Sequence, residues 1–213
     1  MKITIIYDNE TLNSKYQADW GFSCLIETGD KKILFDTGAK GEILLSNMKK
    51  MNIDPSIVDE IFISHFHWDH TGGLEDFLKK HAVKVYMPRS FKTPDYLEDF
   101  VVIDDFTKIH ENIYSTGEIN NIEQSLLIKT KEGVVIIVGC AHSDLKNILK
   151  IAKKLGNPIA CIGGFHGFSD IEKLKNLKLI CPTHCTEHKE EIKNTYPEKF
   201  ISGGVSRLTY SNG

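Results

Sequence analysis

No apolar run in this 213-residue chain approaches the roughly 18–20 residues that cross a bilayer as a helix, so no membrane is expected as a partner. No block of lysine or arginine stands out and the net charge is only −3, so nucleic acid is not an expected partner either. The start, Met1 to Asp8, has too short an apolar run for a secretory signal and lacks a small-residue cleavage site. With five cysteines, an odd number, reduced thiols in the cytoplasm are the default expectation. There is no Gly-x-Ser-x-Gly elbow, no P-loop and no dinucleotide fingerprint, which argues against the enzyme classes built on those loops. No Pro/Ser-rich linker divides the chain, so a single domain over residues 1–213 is expected, made of two similar halves of about 1–110 and 111–213.

Histidine is plentiful, with nine in all. Four ligand-type side chains, His65, His67, Asp69 and His70, fall within six residues of the stretch Ser64 to Gly73. Ile61-Phe62-Ile63 before it reads as a buried strand, and Gly72 to Lys80 after it reads as a helix with Leu74, Phe77 and Leu78 on one face. The cluster therefore sits at a strand's C-terminal end, where open α/β sheets place their sites. In an extended turn His65 and His67 point the same way, while Asp69 and His70 follow a bend and reach a second point nearby. That spacing suits two metal ions better than one; the plain alternative is an exposed polar turn.

The remaining chain reads as alternating strands and helices. Lys2 to Tyr7 is a first strand, and Asp8 to Asp19 is a long polar loop that can border the site. Gly21–Thr28 and Lys32–Phe35 form a hairpin around Gly29-Asp30, and a helix follows at Ile43 to Met51. Asp54 caps a short helix opened by Pro55. Further strands are expected at Val83–Met87, Phe100–Ile103, Glu123–Thr130, Gly133–Val138, Pro158–Ile162, Leu179–Cys181, Phe200–Ile201 and Val205–Tyr210. Helices are expected at Asp144–Leu155, Ile171–Leu177 and, capped by Thr186, at Thr186–Thr195. Two sheets face to face with helices outside, an α/β layered sandwich, is the arrangement that fits.

His142, His166 and His184 each follow a predicted strand within a few residues, so all three fall on the same sheet edge as the first cluster. His142 and His184 read as further metal ligands, His166 as a ligand, a substrate contact or a proton donor. Cys140 is either a buried small residue, as free cysteine usually is, or a thiolate near the metals. Cys181 and Cys185 flank His184 but lack a second cysteine pair at zinc-ribbon spacing. Asp36 is either a turn cap or an acceptor that orients a metal-binding histidine. Glu123 and Gln124 read as surface residues.

Taken together, Leu34-Phe35-Asp36-Thr37-Gly38, His65-x-His67-x-Asp69-His70, Gly139-Cys140-Ala141-His142-Ser143 and Pro182-Thr183-His184-Cys185-Thr186 resemble the metallo-β-lactamase superfamily. With Glu123-Gln124-Ser125-Leu126 and Gly164-Phe165-His166 they look like one branch of it. Members of that branch are often named 7,8-dihydropterin-6-methyl-4-(β-D-ribofuranosyl)aminobenzene-5'-phosphate synthase. The resemblance implies an αββα sandwich with a binuclear metal site at the sheet edge. His65, His67 and His142 would hold one ion, and Asp69, His70 and His184 the other. A glycine-histidine-threonine-type segment is missing near Ser115 to Asn121, and Cys140 stands at the bridging aspartate position. Asp144 and Glu187 stand where the branch has glycine. Nitrogen and oxygen ligands suit two Zn2+ ions, with manganese or iron as alternatives. The expected activity is metal-dependent hydrolysis of a phosphoester or acyl-type small molecule, with Asp69 and His166 as catalytic groups. A dihydropterin transferase releasing diphosphate is the alternative. A di-iron redox protein and a non-catalytic metal-binding protein complete the range.

Overall fold

The segment Val134–Val138 is apolar at all five positions, and all five side chains are buried. Such a strand needs cover on both faces, which an αββα sandwich provides. The computed structural model, which describes residues 1–208, has that architecture. One sheet is built from β1 (Lys2–Tyr7), β2 (Ser23–Thr28), β3 (Lys31–Phe35), β4 (Glu60–Phe62), β5 (Lys84–Pro88) and β6 (Phe100–Ile103). The other is built from β7 (Thr107–His110), β8 (Ile113–Ser115), β9 (Leu126–Lys129), β10 (Val134–Val138), β11 (Pro158–Gly164) and β12 (Leu179–Thr183). A last strand, β13 (Ser206–Leu208), returns to the first sheet, giving orders β13-β1-β2-β3-β4-β5-β6 and β12-β11-β10-β9-β8-β7.

Side-chain alternation divides the core into layers. Ile33 and Phe35 of β3 and Val135 and Ile137 of β10 point between the sheets. Leu34 faces outward with Ile43, Leu44 and Met48 of α1 (Gly41–Lys50) and with Leu74 and Phe77 of α3 (Leu74–Lys80). Val134, Ile136 and Val138 face Leu145, Ile148, Leu149 and Ala152 of α4 (Leu145–Ala152), and Ile192 of α5 (Lys189–Thr195) joins them. Among the described residues no helix is long and apolar enough to cross a membrane.

The pairing sets where the site can form. Strands β3, β4 and β5 are mutually parallel, as are β10, β11 and β12. Their C-terminal ends supply Asp36, the His65–His70 cluster, Cys140 with His142, His166, and His184. A four-residue helix, α2 (Trp68–Thr71), carries Asp69 and His70, so the second half of the cluster is helical.

Several boundaries differ from expectation. Strands β7 and β8 were not anticipated; they are short, and β7 is a polar edge strand. The helix expected at Ile171–Leu177 is only a 3-10 turn over Ile171–Leu174. The last helix starts at Lys189, because the Thr186 hydroxyl is spent on Thr183 O and on the Phe165 N–H. Phe200 makes one bridge to Ile180 and no strand, and Thr209 and Tyr210 lie outside the described residues.

Gly163 on β11 has φ +131°, and a Cβ there would lie 1.8 Å from Val138 O on β10. Replacement by alanine is expected to cost about 2–4 kcal/mol, read as a lower urea midpoint. An unchanged midpoint would contradict this close approach of the two strands.

Candidate metal centre

Three of the candidate histidines are held through one ring nitrogen so that the other faces inward. Asp36, fully buried after β3, accepts from the Ser64 N–H and the Ser64 hydroxyl, both at 2.7 Å. Its Oδ2 also lies 2.7 Å from His70 Nδ1. Because the Ser64 hydroxyl donates to Asp36, its oxygen is left to accept from His65 Nδ1 at 2.8 Å. His184 Nδ1 lies 2.8 Å from Asn9 Oδ1, and Asn9 Nδ2 donates back to His184 O. The Gly21 N–H also donates to Asn9 Oδ1, which fixes the orientation of that amide. Carbonyl, hydroxyl and carboxylate acceptors at Nδ1 leave Nε2 of His65, His70 and His184 as the free lone pair.

Those lone pairs converge on Cys140. His65, Cys140 and His142 form one group whose ligand atoms lie within 4.8 Å of one another, and His70, Cys140 and His184 form a second. Cys140 Sγ is 3.1 Å from His70 Nε2 and belongs to both groups. Nε2 of His142 and Nε2 of His184 are buried without a hydrogen-bond partner. An unpartnered polar atom in the interior costs about 1–3 kcal/mol, which a bound cation would offset.

His67 and Asp69 belong to neither group but stand beside them. His67 Nδ1 lies 3.0 Å from His65 Nε2, close to the edge of about 3.3 Å that two nitrogen ligands of one tetrahedral ion span. Asp69 Oδ2 is 3.2 Å from His184 Nε2 and 4.0 Å from His70 Nε2. The His184 proton sits on Nδ1 toward Asn9, so Nε2 has none to donate to Asp69 Oδ2 and stays unpartnered. The Trp20 indole N–H donates to the same oxygen at 2.9 Å. His166 is exposed, its ring 4.7 Å from that of His142.

Burial keeps His65, His70 and His142 neutral. Burial pushes His65 and His70 well below the ordinary histidine pKa, and neighbouring histidines add to it. Burial, with His67 and His166 nearby, lowers His142 to about 4. Burial raises the Asp69 carboxyl, but contact with His184 and the proximity of His70 outweigh it and hold the group below the usual range. Cys185 Sγ lies 3.2 Å from Cys140 Sγ, and this hydrogen bond raises Cys140 and lowers Cys185 to about 6.

Sequence reasoning missed the groups that aim the ligands. Glu123 and Gln124, expected at the surface, are fully buried. Glu123 accepts from the Ser143 N–H and hydroxyl and so fixes the loop carrying Cys140 and His142. Gln124 donates to Ile63 O, tying its own segment, just before β9, to the end of β4. Asn9 and Trp20 lay in or beside a loop expected only to border the site, and nothing local marks them out. Asp144 adopts φ +73°, a backbone that suits the glycine expected at its position.

The chain matches the family model described as the metallo-beta-lactamase superfamily over residues 21–108. It is 31% identical to the 7,8-dihydropterin-6-methyl-4-(beta-D-ribofuranosyl)-aminobenzene-5'-phosphate synthase of Methanocaldococcus jannaschii, over 92% of this chain and 90% of that protein. An uncharacterised protein of the same organism is 30% identical over 97% of this chain and 98% of its own length. Among solved structures, Tm1679, a metal-dependent hydrolase of the beta-lactamase superfamily, superposes with a TM-score of 0.80 at 27% identity, each chain covered to 100%. With two mixed sheets, helices outside and histidines gathered at one sheet edge, the chain belongs to the metallo-β-lactamase superfamily, in the branch that resembles the M. jannaschii synthase.

Proposed function

We propose that the protein is a metal-dependent hydrolase with a binuclear centre acting on a phosphoester or acyl-type small molecule. The observation that carries this reading is the pair of histidine groups sharing one sulfur, with His142 Nε2 and His184 Nε2 buried and unpartnered. His65, His67 and His142 would hold one ion, His70, His184 and Asp69 the other, with Cys140 between them. Imidazole, carboxylate and a single thiolate suit Zn2+. When bound, such ions lower the pKa of a water from 15.7 to about 7 and favour the ionised forms of Cys140 and Asp36. Asp69, held by Trp20, orients the attacking water. His166, exposed at the mouth, donates a proton to the leaving group. Its neighbour His142 lines an open cleft of about 280 Å3 with Lys146 and Phe168, where a substrate would sit.

A second reading is transfer of a dihydropterin with release of diphosphate. It is favoured by the 31% identity to the M. jannaschii synthase and by two exposed aromatic side chains of the motif, Phe66 and Trp68, which offer a flat ring a stacking surface. Turnover of phosphodiester, lactone and thioester substrates against a pterin diphosphate by the Zn2+-loaded chain separates the two.

In either case His67→Ala is expected to lower Zn2+ content and reduce turnover at least ~100-fold. Full activity after loss of metal would sink both readings. Asn9→Ala should weaken Zn2+ binding about 10–100-fold in a chelator competition, and lower the urea midpoint as well, since Gly21 N–H and His184 O lose their partner. In the metal-free protein the His142 ring should titrate near pH 4 by NMR, because burial and neighbouring histidines disfavour its charged form. It is then neutral and ready to bind at pH 7; titration near pH 6.5 would contradict the packing described.

A further inference from the structure

Cys140 follows β10 and is buried, Cys185 follows β12 and is partly exposed, and their sulfurs lie 3.2 Å apart. Gly164 leaves room for the meeting, since a Cβ there would lie 2.8 Å from Cys185 Sγ. Cys185 also borders an open cleft lined by Trp20, His184 and His188, the side from which a small oxidant would approach. Cys24, Cys161 and Cys181 are buried in the apolar layers.

We infer that Cys140 and Cys185 form an oxidation site that closes to a disulfide with hydrogen peroxide and so withdraws the shared sulfur from the metal centre. A disulfide spans about 2.05 Å, so the sulfurs need to close by only about 1.2 Å. Cys185 sulfur attacks one peroxide oxygen: the S–O bond forms, the O–O bond breaks, and the departing oxygen leaves as water. Cys140 sulfur then attacks the resulting Cys185 sulfenic acid: the S–S bond forms, the S–O bond breaks, and a second water leaves. Two thiols lose two electrons and two protons, and the peroxide takes them up as two waters. The sulfur that His65, His142, His70 and His184 surround can then no longer ionise to a thiolate when a metal binds. This consequence for metal binding rests on the reading of Cys140 as a shared ligand; the oxidation itself does not.

The test uses the full chain stripped of metal, exposed to hydrogen peroxide, then alkylated, digested and examined unreduced by mass spectrometry. The Cys140 and Cys185 peptides should appear joined, lighter than the separate pair by their thiol hydrogens. Zn2+ affinity should fall at least ~100-fold and return on reduction with dithiothreitol, and prior loading with Zn2+ should slow the closure. Cys185→Ser should abolish the joined species and keep Zn2+ binding through the peroxide step. Pairing with Cys181 instead, or oxidation of Cys185 alone to a sulfinic acid, would overturn the inferred site. A Cys140–Cys185 link with undiminished Zn2+ affinity would overturn its effect on the metals. If the reduced chain binds no Zn2+ at all, the metal-centre reading fails while the peptide map still decides the disulfide.

Discussion

A single buried carboxylate, Asp36, organises this sheet edge. It ties the end of β3 to the loop after β4 through the Ser64 N–H and hydroxyl, and it lies against His70 Nδ1. Through Ser64 it also reaches His65 Nδ1. One side chain thus sets the ring orientation of two histidines that face Cys140. Asn9 does the equivalent work for His184, from a loop at the other end of the sequence. Glu123 fixes the loop of Cys140 and His142. Each arm of the centre has its own polar support, and each support is buried or half-buried, where a hydrogen bond is strong and a missing one expensive.

Gathering so many imidazoles carries a cost in the backbone as well. Asp36, Ala141, Asp144, His166 and His184 all have φ between +46° and +73°, in the left-handed region that side chains usually avoid. Such residues cost of order 1–3 kcal/mol each and persist only where the surroundings determine them. Here the surroundings are two sheets whose parallel strands end together and whose cores are filled by β-branched and aromatic side chains. The sandwich thus holds the strained turns at its edge, and with them the gathered histidines.

Much of this was readable along the chain because the signals are local. The continuous apolar run of β10, the amphipathic face of α4 and the Asp54 cap before Pro55 all depend on neighbours in sequence. The short, polar β7 and β8 carry no such signal, since pairing to β9 is what makes them strands. The Ile171–Leu177 segment shows the converse: its pattern suits a helix, but the chain turns back after a single 3-10 turn. Glu123 and Gln124 look like surface residues by type and are buried because strands distant in sequence close over them.

The sequence by itself determined the layered α/β class and which histidines fall at one sheet edge, because residue type and strand-end position are properties of short segments. Only the tertiary structure decided that Cys140 is shared between two histidine groups, that Asn9 and Asp36 select the free ring nitrogens, and that Cys185 touches Cys140. Those are contacts between strand ends and loops up to 175 residues apart, set by sheet order and by the loops that cross the edge, and no periodicity along the chain encodes them.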